Sequence, residues 1–448
     1  MNQSIQLEQY LGKPLECNCG HEHKTLLKKI DISKGALERL PALIKELGYQ
    51  HIFVVCDINT WKAAGETVVQ LLDSNKIDHE YLTIQDEELV PDEWAVGTVM
   101  TAFPKQTDLI LAVGSGTLND LCKFISFQLG LDYIVCATAP SMDGFASIGA
   151  ALITDHVKTT YDAHVPVAVI GDTNVLAQAP MDMIVAGLGD ILGKYTCLLD
   201  WKMAHLIEDE YYCEKIAGMV KQAVTIVAEQ GPKIKDRDPD AVQSITEALV
   251  LTGVAMSFVG NSRPASGSEH HLSHYWEMQF QMEDKKPILH GIKVGVGLLT
   301  VINMYQKLAK ETPDFSTLKK NTFDEAAWEA KVRECYKDAA AGIIALEKQC
   351  GKNNIENRNK RLDRIENVWQ EMVSLIQTEL PVLDDLRQMM IDLNEPVNPN
   401  QLGISMEQVK DAIILAKEVR NRFTILQILW DLNLLESYAN DMAAYFQK

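Results

Sequence analysis

Four short apolar runs punctuate the first 180 residues: HIFVVCD (51–57), DLILAVG (108–114), DYIVCA (132–137) and PVAVIGD (166–172). Each is rich in β-branched residues and closes on Gly, Ala or Asp, the pattern of a strand buried on both faces. NTWKAAGETVVQLLDSN (59–75) and TLNDLCKFISFQLG (117–130) lie between them and repeat their apolar positions at helical spacing. Alternation of this kind predicts a parallel, doubly wound α/β sheet. After Pro180 the strand pattern stops. Helical periodicity covers about 186–206, 211–230, 239–260, 267–280, 289–310, 322–349 and 405–447, with breakers such as EQGPKIKDRDPD and NEPVNPNQLG between. The expected layout is an α/β dinucleotide-binding domain over 1–180, then an all-α domain over 181–448 with a C-terminal helical extension.

Composition narrows the function. The chain has 448 residues with 42 Lys+Arg against 62 Asp+Glu, a formal charge of −20. So acidic a chain is a poor partner for nucleic acid or an anionic membrane surface. The N-terminus MNQSIQLEQYLGKPLE lacks the basic and apolar regions of a signal peptide. No run of about 18 apolar residues is expected to span a bilayer. Nine scattered cysteines do not suggest a disulfide framework. A cytoplasmic protein is expected. CNCGHEH crowds Cys17, Cys19, His21 and His23 into seven residues. These types suit zinc, but the spacing matches no usual finger or ribbon, so the segment is read as a polar N-terminal loop.

Chemistry is concentrated at a few loops and one helix. LAVGSGTLND (111–120) runs a strand through Gly114 and Gly116 into a helix, where backbone N–H groups and the helix dipole favour a phosphate. It is neither G-x-G-x-x-G nor a P-loop, and it does not follow the first strand. ATAPSMDGFAS (137–147) places polar residues after the third run, and Asp57 ends the first; position alone favours a helix cap for Asp57. SGSEHHLSHYWEMQF (266–280) holds three histidines within five positions. His270 and His274, four apart, share a helix face, whereas His271 sits roughly 100° round. Spacing alone leaves either His270 or His271 beside His274. His290 opens the next helix and Asp190 sits in AGLGDILGKYT (186–196). Imidazoles and a carboxylate are donors for a catalytic divalent metal.

GSGTLND, APSMDGFAS, GLGDILGKYT and SGSEHHLSH followed by LHGIKVGVG, in that order, resemble the sn-glycerol-1-phosphate dehydrogenases, nearest to their bacterial, arabinose-operon-associated branch. These belong with the iron-containing alcohol dehydrogenases and dehydroquinate synthases. The resemblance covers most of 40–310, and SMDGFAS with SRPASGSEH marks the glycerol-phosphate enzymes within that larger group. It implies NAD(H) or NADP(H) bound by Asp57, Gly116, Thr117, Leu118, Asn119, Asp120, Thr138, Ala139, Pro140, Ser141 and Ser147. Asp57 would meet the adenosine ribose, leaning toward NADH. It implies nickel or zinc on Asp190, His270 and His290, with substrate against Asp143, Asp190 and His274. His274 and Asp190 would be the catalytic pair. The reaction implied is reduction of dihydroxyacetone phosphate to sn-glycerol 1-phosphate, by a homodimer. Many members of the larger group carry His-Gly-Glu where this chain has HGIK, so no Glu role transfers there. Arg263, Lys194 and Lys293 are the basic residues nearest in sequence for a phosphate. The alternatives are a glycerol dehydrogenase acting on the unphosphorylated substrate and a catalytically silent sugar-phosphate binder.

Overall fold

The computed structural model describes residues 5–155, 157–320 and 322–447. Two compact units are built from it, neither continuous in sequence: Met1–Ile191 with Gly218–Ser262, and Leu192–Ala217 with Arg263–Lys448.

In the first unit six parallel strands form one sheet: β1 (Lys29–Ser33), β2 (His51–Asp57), β3 (Asp78–Ile84), β4 (Leu109–Gly114), β5 (Asp132–Ala137) and β8 (Ala168–Asp172). Their order is β1-β8-β5-β4-β2-β3. β6 (Gly149–Thr154) and β7 (Val157–Asp162) pair antiparallel as a separate ribbon. The four apolar runs are the four central strands, and burial of Val54, Leu111, Ile134 and Ala168 explains their uninterrupted hydrophobicity. β1 and β3 lie at the two edges. Edge strands need only one buried neighbour, so KIDIS and DHEYLTI carry the polar residues that hid them from an apolar-run reading. Order reverses between β2 and β4, which makes their carboxyl ends the crevice where such sheets take ligands.

Helix Pro239–Val259 returns to this unit. It corrects the expectation that no segment is long and apolar enough to cross a membrane: by length and composition this one is, with 83% of its window buried inside the molecule. Asp240, Gln243 and Glu247 interrupt the apolar run, yet the helix is buried along most of its length from Ala241 to Phe258.

The second unit is helical. The histidine helix spans Ser268–Met282, the next Ser-free apolar helix His290–Leu308, and the longest Ile355–Glu379. The single helix expected over 186–206 is two, Met181–Leu192 and Lys194–Glu208, parted by one turn residue at Gly193. The histidine helix and His290–Leu308 pack tightly. A Cβ on Gly297 would lie 2.7 Å from the Glu269 carbonyl oxygen, so only glycine permits this approach.

Candidate metal and cofactor site

In the first unit the glycine turn falls at the carboxyl end of β4. The helix starting at Gly116 (Gly116–Leu129) leaves its first backbone N–H groups without intrahelical acceptors, as every helix start does. Ser115 Oγ bonds Ser141 Oγ and donates to the Ala139 carbonyl at 3.2 Å, tying this turn to the loop after β5. Thr138 N donates to the Gly114 carbonyl at 3.1 Å. Thr138, Ala139, Pro140 and Ser141 are buried, and Gly116 and Thr117 half-buried. The turn and the loop are therefore brought side by side.

Several of the residues expected to meet the cofactor also hold the fold. Asn119 is fully buried and its Nδ2 donates to Asp120 Oδ1 at 2.9 Å; Asp120 Oδ2 accepts from Ala151 N at 3.3 Å. Lys123 is buried, donating to the Gly144 carbonyl at 2.6 Å and to Ser147 Oγ at 3.1 Å. Burial pulls its ammonium below the usual lysine range, against the charge of Asp120. Asp57 Oδ1 accepts from Asn59 N at 2.8 Å and Thr60 N at 2.7 Å, completing a capping box with Thr60.

Asp190 is fully buried in helix Met181–Leu192, and its Oδ2 accepts from the backbone N–H of Asp143 at 3.0 Å. A Cβ on Gly187, one turn earlier, would sit 1.8 Å from the Pro140 carbonyl oxygen. Helix and loop thus touch backbone to backbone, and this sets Asp143 against Asp190.

In the second unit three histidines converge. Ring centroids lie 5.1 Å apart for His270 and His290, 5.4 Å for His274 and His290, and 6.2 Å for His270 and His274. His270 Nδ1–H donates to Glu269 Oε1 at 2.7 Å, which leaves Nε2 as the ring's lone-pair donor. Glu269 in turn accepts from Thr196 Oγ1 at 2.6 Å and Gly267 N at 2.7 Å. Burial pushes its carboxyl up, but the hydrogen bond from His270 and those from Thr196 and Gly267 prevail and hold it below the usual value. A carboxylate behind a histidine fixes the tautomer and ring angle that a metal ligand needs. His274 Nδ1 faces Glu277 Oε2 at 3.4 Å, and its Nε2 accepts from Arg420 at 3.3 Å. His274, Glu277 and His290 also form a donor group of their own, within 4.8 Å. His271 points elsewhere: it is fully buried, neither ring nitrogen has a hydrogen-bond partner among the described residues, and burial with nearby Arg422 and Arg420 holds it neutral.

The basic residues sort unexpectedly. Arg263 spends its fork on Glu210, 2.7 Å from each carboxylate oxygen, and on the Phe423 carbonyl. Lys194 donates to the Ala265 carbonyl at 3.0 Å and Lys293 to that of Ile288. Arg420 and Arg422 instead come from VRNRFT (419–424), in the tail that the sequence motifs do not reach. Burial pulls both guanidinium groups down, yet arginine stays charged. Sequence spacing gives no sign of them, because the 146-residue separation of His274 and Arg420 is closed only by the fold.

Comparison with known proteins decides the family. A family model described as iron-containing alcohol dehydrogenase matches residues 31–180. A glycerol-1-phosphate dehydrogenase [NAD(P)+] of Halalkalibacterium halodurans is 34% identical over 92% of this chain and 95% of its own. One from Geobacillus stearothermophilus is 32% identical over 97% and 100%. The chain belongs to the glycerol-1-phosphate dehydrogenase family. Solved structures extend the fold further: an iron-containing alcohol dehydrogenase of Corynebacterium glutamicum has a TM-score of 0.61 at 16% identity, covering 96% of this chain and 99% of that one. A glycerol dehydrogenase of Schizosaccharomyces pombe has a TM-score of 0.60 at 17%, covering 94% and 91%. The two-domain layout of an α/β half and a helical half is that of these proteins.

Proposed function

We propose that this chain interconverts dihydroxyacetone phosphate and sn-glycerol 1-phosphate with NAD(P)(H) and a divalent metal. The observation that carries the reading is the trio of His270, His274 and His290 with the cation of Arg420 beside it. Family membership and the names of the relatives, glycerol-1-phosphate dehydrogenases, support it.

In this reading Asp190, His270 and His290 would be the ligands, one carboxylate and two imidazoles. Nickel and zinc both accept one carboxylate and two imidazoles. When bound, the metal supplies Lewis-acid polarisation of the substrate carbonyl and the nicotinamide supplies or takes the hydride. The nucleotide would rest on Gly116–Asp120, Thr138–Ser141 and Ser147, with Asp57 toward the ribose, along the carboxyl ends of β4, β5 and β2. Asp143 would orient substrate, its backbone already fixed by Asp190.

His274 is suited to move the proton. With Nδ1 facing Glu277, Nε2 would exchange its Arg420 hydrogen bond for the substrate hydroxyl as Arg420 turns to the phosphate, accepting the proton during oxidation and returning it during reduction. Arg420 would take the substrate phosphate, since its planar fork matches two phosphate oxygens. Glu269 orients His270. A cytosolic homodimer is the assembly we infer.

The test is NAD(P)H oxidation by purified protein loaded with nickel or zinc. Turnover with dihydroxyacetone phosphate far above that with dihydroxyacetone supports the reading. Equal or reversed preference would point to a glycerol dehydrogenase, and no turnover of either would sink it.

A further inference from the structure

The N-terminal CNCGHEH segment takes no part in the chemistry above. It folds back on itself: Leu15 N donates to the His23 carbonyl at 2.8 Å, and Gly20 makes the turn at φ +83°. The closure brings Cys17, Cys19 and His23 together. Cys17 Sγ lies 3.0 Å from Cys19 Sγ, and Cys19 Sγ lies 3.0 Å from His23 Nε2. A disulfide would need about 2.05 Å. A tetrahedral zinc ion, with Zn–S about 2.3 Å and Zn–N about 2.0 Å, sets its donors roughly 3.5 Å apart. The three donor atoms thus need to open by only about half an ångström to share one ion.

A second, separate feature points the same way. His23 is fully buried although it sits in a polar loop, and its Nδ1–H donates to the Phe258 carbonyl at 2.9 Å. Phe258 is in the last turn of the buried helix Pro239–Val259. This bond fixes the tautomer with the lone pair on Nε2, the atom aimed at Cys19, which is how a metal-bound histidine is set by its outer partner. His21 of the same motif is exposed, and it is its carbonyl, 3.8 Å away, that faces Cys19 Sγ.

We propose that Cys17, Cys19 and His23 hold a zinc ion, distinct from the catalytic metal and structural in role. Two thiolates and an imidazole are soft, nitrogen-and-sulfur donors that select zinc over magnesium or calcium. Binding releases the two thiol protons to solvent and leaves the ion and its thiolates with no net charge. The site pins the N-terminal loop to the C-terminal end of helix Pro239–Val259 through His23. The fourth position of the shell lies outside these three side chains.

The test counts metal in purified full-length chain and does not depend on turnover. Zinc per chain is measured for the unaltered protein, for Cys17→Ser/Cys19→Ser and for His270→Ala. The cysteine variant should contain one zinc fewer per chain, and His270→Ala should keep that zinc. Cobalt substitution of His270→Ala should give an intense thiolate-to-cobalt absorption that disappears when Cys17 and Cys19 are also changed. Equal zinc in the cysteine variant and the unaltered protein, or cobalt protein without the thiolate band, would overturn the proposal. Should the cysteine variant fail to fold, alkylation of the unaltered protein decides. Cys17 and Cys19 should resist iodoacetamide until a chelator is added; ready alkylation beforehand, or a Cys17–Cys19 disulfide in the mass spectrum, counts against the site.

Discussion

The first unit and the second prepare their polar residues in opposite ways. In the first, the glycine turn, the loop after β5 and Asp190 are held by backbone contact: Gly187 against Pro140, Asp190 on Asp143 N, Lys123 on the Gly144 carbonyl. In the second, side chains hold side chains: Glu269 behind His270, Glu277 and Arg420 on His274, Asp200 beneath Ser268. Backbone scaffolding presents N–H groups and a shaped surface, which suits a long nucleotide. Side-chain scaffolding fixes individual lone pairs and charges, which suits a metal and a proton. The first should resist added volume above all; the second should be sensitive to single atoms.

The largest effect is expected at His270. His270→Ala should remove the catalytic metal and lower turnover by on the order of 10²–10³ or more with the fold retained, read by metal analysis, NADH assay and circular dichroism. Full activity in a metal-free variant would break the contrast outright. His274→Gln sharpens it: turnover should fall by about 10²–10⁴ while the metal stays bound. Loss of the ion there would instead assign the metal to the His274–Glu277–His290 group.

Glu269→Gln keeps the shape but removes the charge behind His270. Metal affinity should weaken by roughly 10–100-fold in a chelator competition, and an unchanged affinity would mean Glu269 serves only packing. Arg420→Gln should raise KM for dihydroxyacetone phosphate about 10–100-fold while affecting dihydroxyacetone far less. Equal effects on both substrates would remove Arg420 from the phosphate.

The smallest effect concerns pH. Burial, then the Glu269 charge, push the Asp200 carboxyl up to about 6, against hydrogen bonds from Ser268 and Tyr305. A carboxyl raised in the folded state is protonated there while the unfolded chain is still ionised, so acidification favours folding through this group. Relative to Asp200→Asn, the unaltered protein should gain about 1.4 kcal/mol of unfolding free energy between pH 7 and 5. Denaturant melts at the two pH values measure it, and a difference that shrinks on acidification contradicts the assignment.

The same contrast governs what the sequence discloses. The four central strands and the glycine turn are legible because burial on both faces forces continuous apolar runs and because their contacts are short in sequence. β1, β3 and the β6–β7 ribbon are hidden, since edge and ribbon strands carry polar residues. Helical spacing and a helix start single out His274 and His290, but they leave His270 and His271 level; only the family resemblance chooses His270. Arg420 cannot be singled out, because nothing local marks a residue whose partner lies far back along the chain. Arg263, near the histidines in sequence, is instead locked to Glu210. In CNCGHEH the residue types suggested metal, but only the fold shows that His23 turns inward and His21 does not.

Anomalous diffraction from crystals of the metal-loaded chain, recorded at the nickel and zinc absorption edges, tests the central claim most directly. The account predicts a peak bonded to Nε2 of His270 and to His290, with Asp190 completing the set. A map with no peak at these histidines, or with the ion on His274 and Glu277 instead, would contradict it.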